Sequence, residues 1–312
     1  MAASANPAVP PIPVEEPRQH PLLALLCRLV AGLALATMLM LVKLGKQRGI
    51  DLPQMMFVRQ FVTIPVLLGW LALRGQLHVL RTTRLKNHAA RAATGTVGMA
   101  LTFMAPMLLP LAVATTFGFT SPIFAVILSA LVLREHVGAW RWTATAVGFV
   151  GVAFLADPID TSVPPLGALV AIAAAFMVAL VSIQIRDLTK TEHPLAIVTW
   201  FALFATPVLF VISLLFNWNL SGGAFLLLVM IGLTGTVAQI LITLSLRLGP
   251  VSSVIVMDYM TLLWATAYGV LVFDTLPPAS LWIGAPFVIA SGSIIVWRER
   301  ILAKQRNEML AR

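Results

Sequence analysis

The sequence predicts an all-α membrane protein with ten transmembrane helices arranged as two inverted five-helix repeats. Three observations carry that prediction. Of the 312 residues, 59% are hydrophobic and only 11% are charged, with a mean hydropathy of +0.94. A soluble domain carries about 25% charged residues, so this surface must face lipid. Apolar windows of about 20 residues recur from end to end. The polar gaps between them are short and unevenly basic.

The windows fall at 22–43, 54–73, 92–109, 112–133, 139–156, 166–185, 194–216, 224–245, 251–272 and 280–297. Each spans about 30 Å of hydrocarbon at 1.5 Å per residue, the third only just. Lipid offers no partner to a backbone amide, and the runs lack the alternation of barrel strands, so the segments are helices. Residues 1–21 are rich in Ala and Pro and carry Glu15 and Glu16; they bury too little apolar surface to order themselves. The run from Leu22 is too long for a signal-peptide core and reads as a retained anchor. Residues 298–312 form a basic tail. The four segments are thus the N-terminal tail 1–21, a first repeat 22–156, a second repeat 166–297 and the C-terminal tail.

Charge orients the chain in the inner or plasma membrane. With the N-terminus cytoplasmic, Arg18, Arg74, Arg81, Arg84, Lys86 and Arg91 face the cytoplasm. So do Arg134, Arg141, Arg186, Lys190 and Arg247, and the tail cations Arg298, Arg300, Lys304, Arg306 and Arg312. Only Lys43, Lys46 and Arg48 fall on the other side, so the positive-inside rule places both termini in the cytoplasm.

The repeat shows as punctuation. Pro110 opens a helix that ends at Glu135, and Pro250 opens one that ends at Asp274. The two acids are separated by about half of the membrane-embedded length. Five spans per half force opposite orientations, and inverted repeats with a site at their interface are the architecture of secondary transporters.

Several function classes are excluded. The net charge of +9 resides in gaps, without the aromatic-interleaved stripe of a nucleic-acid surface. Cys27 is the single cysteine, which forbids an intrachain disulfide or a cysteine zinc site; it reads as an apolar filler. There is no G-x-x-x-x-G-K-[ST] stretch, so transport must draw on a gradient, a proton gradient being the first expectation, or on exchange, or use a separate partner. His20, His78, His88, His136 and His193 fall in gaps or the tail, and no acid pair occurs at mid-membrane. An embedded enzyme therefore lacks its machinery, and neither cofactor nor metal is expected. The expected partners are a small-molecule cargo and the bilayer. The competing reading is a non-transporting scaffold or regulatory protein, which would have no need of ionisable groups inside its spans.

Phe57-Val58-Arg59, the stretch Leu111-Ala112-Val113-Ala114 to Ser121-Pro122-Ile123-Phe124 ending in Leu133-Arg134-Glu135, and Arg141-Trp142 leading to Gly148-Phe149-Val150-Gly151-Val152 resemble the drug/metabolite transporter superfamily, EamA type. The likeness covers about residues 22–297 and is better in the first half. It implies ten helices and transport of amino acids, nucleosides, vitamins such as riboflavin, or S-adenosylmethionine. In the second half Asp274 stands where the family usually has glutamate, and Thr261 where the first half has Pro122.

Three ionisable residues fall inside spans, where each costs a few kcal/mol or more unless paired or wet. Arg28 lies roughly 9 Å from the cytoplasmic end of its span, Asp258 about 12 Å, and Arg59 about 8 Å from the outer end of span two. Depth pairs Asp258 with Arg28. Asp258 reads as a proton carrier, a ligand for a cationic group, or half of a structural pair. The arginines read as clamps for carboxylate or phosphate, or as snorkelling side chains. Two arginines against one aspartate favour an anionic or zwitterionic cargo. Tyr259, Trp200 and Trp264 offer stacking faces, or else lipid contact. Gln184 and Gln239 offer amides to a cargo or to a neighbouring helix. Pro122 reads as a hinge, with Pro106, Pro207 and Pro286 weaker candidates. Glu135 and Asp274, at unfavourable helix ends, read as gating or structural residues. Gly95 with Gly98, and Gly148 with Gly151, read as close helix contacts.

Overall fold

A computed structural model describes residues 21–131, 139–156, 163–188, 191–248, 258 and 260–310. The described residues form helices and no strand. The first half holds α1 (Pro21–Gln47), α2 (Leu52–Leu73), a 3-10 turn (Leu77–Leu80), α3 (Leu85–Leu108), α4 (Leu111–Gly118), α5 (Ser121–Leu131) and α6 (Ala139–Ala156). The second holds α7 (Pro165–Leu188), α8 (Pro194–Ser213), α9 (Gly222–Leu248), α10 (Met260–Phe273) and α11 (Ala279–Leu310). Five stretches, Leu22–Gln47, Leu52–Leu73, Pro165–Ile185, Pro194–Ser213 and Gly222–Ile242, are long and apolar enough to cross a bilayer.

Local chemistry sets the helix ends. Gly49 and Gly75 take positive φ after α1 and α2. The following amides, of Ile50 and Gln76, reach back to the carbonyls of Gly45 at 3.0 Å and Leu71 at 2.8 Å; this is the Schellman closure that glycine permits. Asp51 caps α2, with its N–H donating to Gln54 Oε1 at 2.9 Å. The Gln54 amide in turn donates to the Asn217 carbonyl at 2.9 Å and ties α2 to the loop after α8.

Four boundaries differ from the sequence expectation. The described part of window 112–133 is two helices, α4 and α5, broken at Phe119 and Thr120. Proline has no N–H and its ring crowds the carbonyl four residues back; for Pro122 that residue is Gly118, the last of α4. Helix α1 runs on through Lys43 and Lys46. Helix α3 starts at Leu85, seven residues before its apolar window. Helix α11 continues to Leu310 through most of the expected basic tail.

The main helix pairings are kept when the halves are exchanged, although α1 also packs on α3 without a matching α7–α9 contact of that extent. Helix α1 packs on α9, and α7 packs on α3. Helix α2 lies against α9, as α8 lies against α3; α1 meets α10, as α7 meets α4 and α5. Pairs α2–α8 and α6–α11 are each their own counterparts. A sequence echo accompanies this: Thr94-Gly95-Thr96-Val97 on α3 recurs as Thr234-Gly235-Thr236-Val237 on α9. One core gathers α1, α2, α3, α8 and α9 around Met38, Met55, Phe103, Phe201 and Leu228. A second gathers α4, α6, α7 and α11 around Val113, Phe117, Ala171 and Val288.

Glycine admits the α6–α11 contact. A Cβ on Gly151 would lie 2.8 Å from Phe287 Cβ and 2.9 Å from the Gly284 carbonyl, atoms that cannot swing aside. Gly151→Ala should therefore cost about 1–3 kcal/mol, seen as a lower melting temperature in detergent. Asp274 predicts the opposite sign. It ends α10 at φ 49, and Thr275 donates both its N–H and its hydroxyl to the Gly269 carbonyl at 3.0 Å. A left-handed non-glycine residue costs roughly 1 kcal/mol, so Asp274→Gly should raise the melting temperature.

Candidate functional site

Two guanidiniums are buried where α2, α3, α8 and α9 meet. Arg59 on α2 is 9% exposed and Arg91 on α3 is 6% exposed. Neither snorkels. Arg59 Nη1 donates to Gln60 Oε1, while its Nε has no hydrogen-bond partner among the described residues. Gln60 is fully buried and its Nε2 is likewise unpartnered. Arg91 lies 4.4 Å over the Phe201 ring, with Nε and Nη1 unpartnered. The two cations are within electrostatic reach of each other, and no carboxylate among the described residues forms a salt bridge with either. The repeated glycines make room for this arrangement. A Cβ on Gly235 would sit 3.2 Å from Arg59 Nε, and one on Gly95 would sit 1.9 Å from Arg91 Nη1 and 3.0 Å from Phe201.

His88 sits three residues before Arg91, on the same side of α3. It is buried, neither ring nitrogen has a hydrogen-bond partner among the described residues, and its Nε2 lies 3.9 Å from Glu192 Oε2. Burial holds its imidazole below the ordinary pKa, while Glu192 pulls the other way. The His88 ring is 6.1 Å from Trp200, which is 5.6 Å from Phe204. With Phe201 these rings make an aromatic wall along α3 and α8. The nearby end of the bundle is latched by polar contacts. Thr82 donates to Glu192 at 2.7 Å, and Arg84 pairs with Asp187.

Arg28 and Asp258 meet in a bidentate pair, Nε to Oδ1 and Nη2 to Oδ2, both at 2.5 Å. The pair joins α1 to the residues that lead into α10. Further along α1, Gly32 lies against Thr261 and Thr37 shares a hydrogen bond with Tyr268 at 2.8 Å.

The other expected residues have different surroundings. The Trp200 indole N–H is taken by the Leu80 carbonyl at 3.0 Å, so it offers a cargo its face but not its donor. Gln184 accepts from Thr94 at 2.5 Å between α7 and α3, and Gln239 is also engaged. Tyr259, Glu135 and the Pro122 side chain lie outside the described residues. Lys43, an exception to the charge rule, donates to the Leu109 carbonyl at 2.8 Å and lies 5.1 Å over the Phe273 ring, which gives it a structural task.

Sequence reasoning assigned Arg91 and His88 to a polar gap and passed over Gln60 and Phe201. A signal for the first two was present: the third window was barely long enough, and helix extended back to Leu85 puts His88 and Arg91 one turn apart. Away from this cluster, a hollow of about 270 Å³ on the α5–α6–α7 flank is lined by Ile123, Phe124, Phe149, Val152, Ala153, Ile172 and one hydroxyl, Thr120. Its lining suits lipid tails better than a polar cargo.

The EamA-like transporter family profile matches residues 22–156 and again 165–297. The chain belongs to the EamA-like transporter family. This EamA-like protein is 30% identical over 295 residues to a riboflavin transporter of Vibrio cholerae, covering 93% of this chain and 98% of that one. It is 28% identical over 224 residues to a riboflavin transporter of Rhizobium johnstonii, covering 72% and 74%. An S-adenosylmethionine uptake transporter of Rickettsia prowazekii is 23% identical over 252 residues, covering 81% and 85%. A crystal structure with 19% identity superposes with a TM-score of 0.60 over 89% of this chain and 98% of that one, a likeness of fold. The protein is thus a multi-pass membrane transporter.

Proposed function

We propose that this EamA-like transporter carries a small polar metabolite by alternating access, with the cargo held between the two halves at Arg59 and Arg91. The observation that carries the reading is the pair of buried guanidiniums with no salt-bridged carboxylate among the described residues. A core selected for stability alone would not retain them, because each uncompensated charge costs several kcal/mol. Alternating access is supported by the exchangeable helix pairing and by the break between α4 and α5, which supplies a hinge. Orientation with both termini cytoplasmic follows from the charge rule, and a proton gradient or exchange supplies the driving force.

Riboflavin is the first cargo to assay, on the strength of the Vibrio cholerae relative matched over 98% of its length. S-adenosylmethionine is disfavoured, because its sulfonium cation would enter a site that already holds two positive charges. The test is uptake of labelled riboflavin by proteoliposomes, with and without an imposed proton gradient. Saturable uptake above protein-free vesicles is expected. Saturable S-adenosylmethionine uptake with none of riboflavin would overturn the cargo assignment.

A further inference from the structure

Resting on that transport reading, we infer that Arg59, Gln60 and Arg91 form a recognition site for the acceptor-bearing edge of a planar heteroaromatic cargo, neutral or anionic. Three observations lead there. The unpartnered polar atoms of these three side chains are all N–H donors: Arg59 Nε, Gln60 Nε2, Arg91 Nε and Arg91 Nη1. Each belongs to a residue at least nine-tenths buried, and a buried donor left unpaired costs about 1–3 kcal/mol, more when charged. The complement of such a cluster is a group of oxo oxygens or ring nitrogens. Guanidinium and amide are themselves flat, so their N–H groups are best met by acceptors lying in one plane.

The second observation is the wall. Arg91 is pinned 4.4 Å above Phe201, and Trp200, Phe204 and His88 continue the aromatic surface. A ring bound edge-on to the guanidiniums meets that surface with its apolar part. A compact anion would satisfy the charges but leave the wall without a task. The third is charge. Among the described residues no carboxylate is salt-bridged to either arginine, and Glu192, beside the wall, is engaged by His88 and Thr82, so the two guanidiniums disfavour a cationic cargo without any steric device.

The experiment uses the full chain in nanodiscs and reads the quenching of riboflavin fluorescence. Competitors are lumichrome, which keeps the planar oxo-edged ring and lacks the sugar chain, inorganic phosphate and S-adenosylmethionine. Two variants perturb the site without removing its charge. Arg91→Lys keeps the cation and loses the flat fork. Gly95→Ala places a methyl 1.9 Å from Arg91 Nη1, the far end of a flexible side chain, and 3.0 Å from the Phe201 ring, and so displaces the guanidinium while the ring gives by a few tenths of an ångström. Lumichrome should displace riboflavin, phosphate and S-adenosylmethionine should not, and each variant should weaken binding about 10- to 100-fold while keeping its melting temperature within a few degrees. Phosphate competing as well as lumichrome overturns the planar class. Wild-type affinity in both variants overturns the site, and saturable uptake alongside it leaves the transport reading standing. No saturable binding or uptake of any tested metabolite by the wild type overturns both.

Discussion

Replacing Arg59 or Arg91 with Met is expected to raise the melting temperature of the empty protein and to abolish saturable uptake. The two effects have one cause. A guanidinium buried without a counter-charge keeps its desolvation cost of several kcal/mol in the empty protein. Methionine fills a similar volume with an apolar, flexible chain, so the substitution removes the cost and retains much of the packing against Gly235 or Phe201. A gain on the order of 1–4 kcal/mol is expected. The effects should not add. The two cations repel each other across α2 and α3, so removing either relieves the other, and the double variant should gain less than the sum. Uptake should fall about 100-fold or more, because a cargo bound to the remaining site loses charge-assisted hydrogen bonds. Cargo should also stabilise the wild type by mass action and leave the variants unmoved. Melting scans with and without cargo, beside an uptake assay, separate these terms. A fall in melting temperature for both single variants would show that the cations stabilise the fold, and would remove the reason for assigning them to a cargo.

The membrane nature of the chain and its two-part organisation were legible because both rest on coarse features. Apolar windows and basic gaps survive errors of several residues. The helix ends were less legible for a definite reason. Hydropathy reports where lipid begins, whereas a helix continues past that boundary as long as its backbone bonds persist, as α3 does through His88 and Arg91 back to Leu85. That difference hid half of the candidate site, since a residue placed in a gap is expected to be solvated. The echo of Thr94-Gly95-Thr96-Val97 in Thr234-Gly235-Thr236-Val237 went unread in the sequence, because four residues carry no hint of their use: Gly95 lies against Arg91 and Phe201, and Gly235 against Arg59. Depth alone did pair Arg28 with Asp258, because a short acidic side chain inside a span must find a cation at its own level. For Trp200, sequence shows a donor and a face but not that the Leu80 carbonyl consumes the donor.

Asp258→Asn should lower both stability and uptake, and the swapped double variant Arg28→Asp with Asp258→Arg should restore both. In the wild type the carboxylate receives Nε and Nη2 of one guanidinium. An amide cannot balance that charge, and Arg28 Nη1 already lacks a partner. Breaking a fully buried pair costs about 3–5 kcal/mol. Here the side chains of Arg28 and Asp258 are 11% and 34% exposed, so water screens part of the loss and about 1–3 kcal/mol is expected. The swap isolates the role. Asp258 connects the second half to α1 of the first, in line with the Gly32–Thr261 and Thr37–Tyr268 contacts, so the pair closes one end of an interface that the proposed alternating access would open. A clasp needs opposite charges at these two places and is indifferent to which helix carries which. A proton carrier or a ligand for the cargo needs the carboxylate where it stands. Recovery of stability and uptake together in the swapped protein is the outcome that a clasp requires. Recovered stability without uptake would refute the clasp and return Asp258 to the coupling or cargo site.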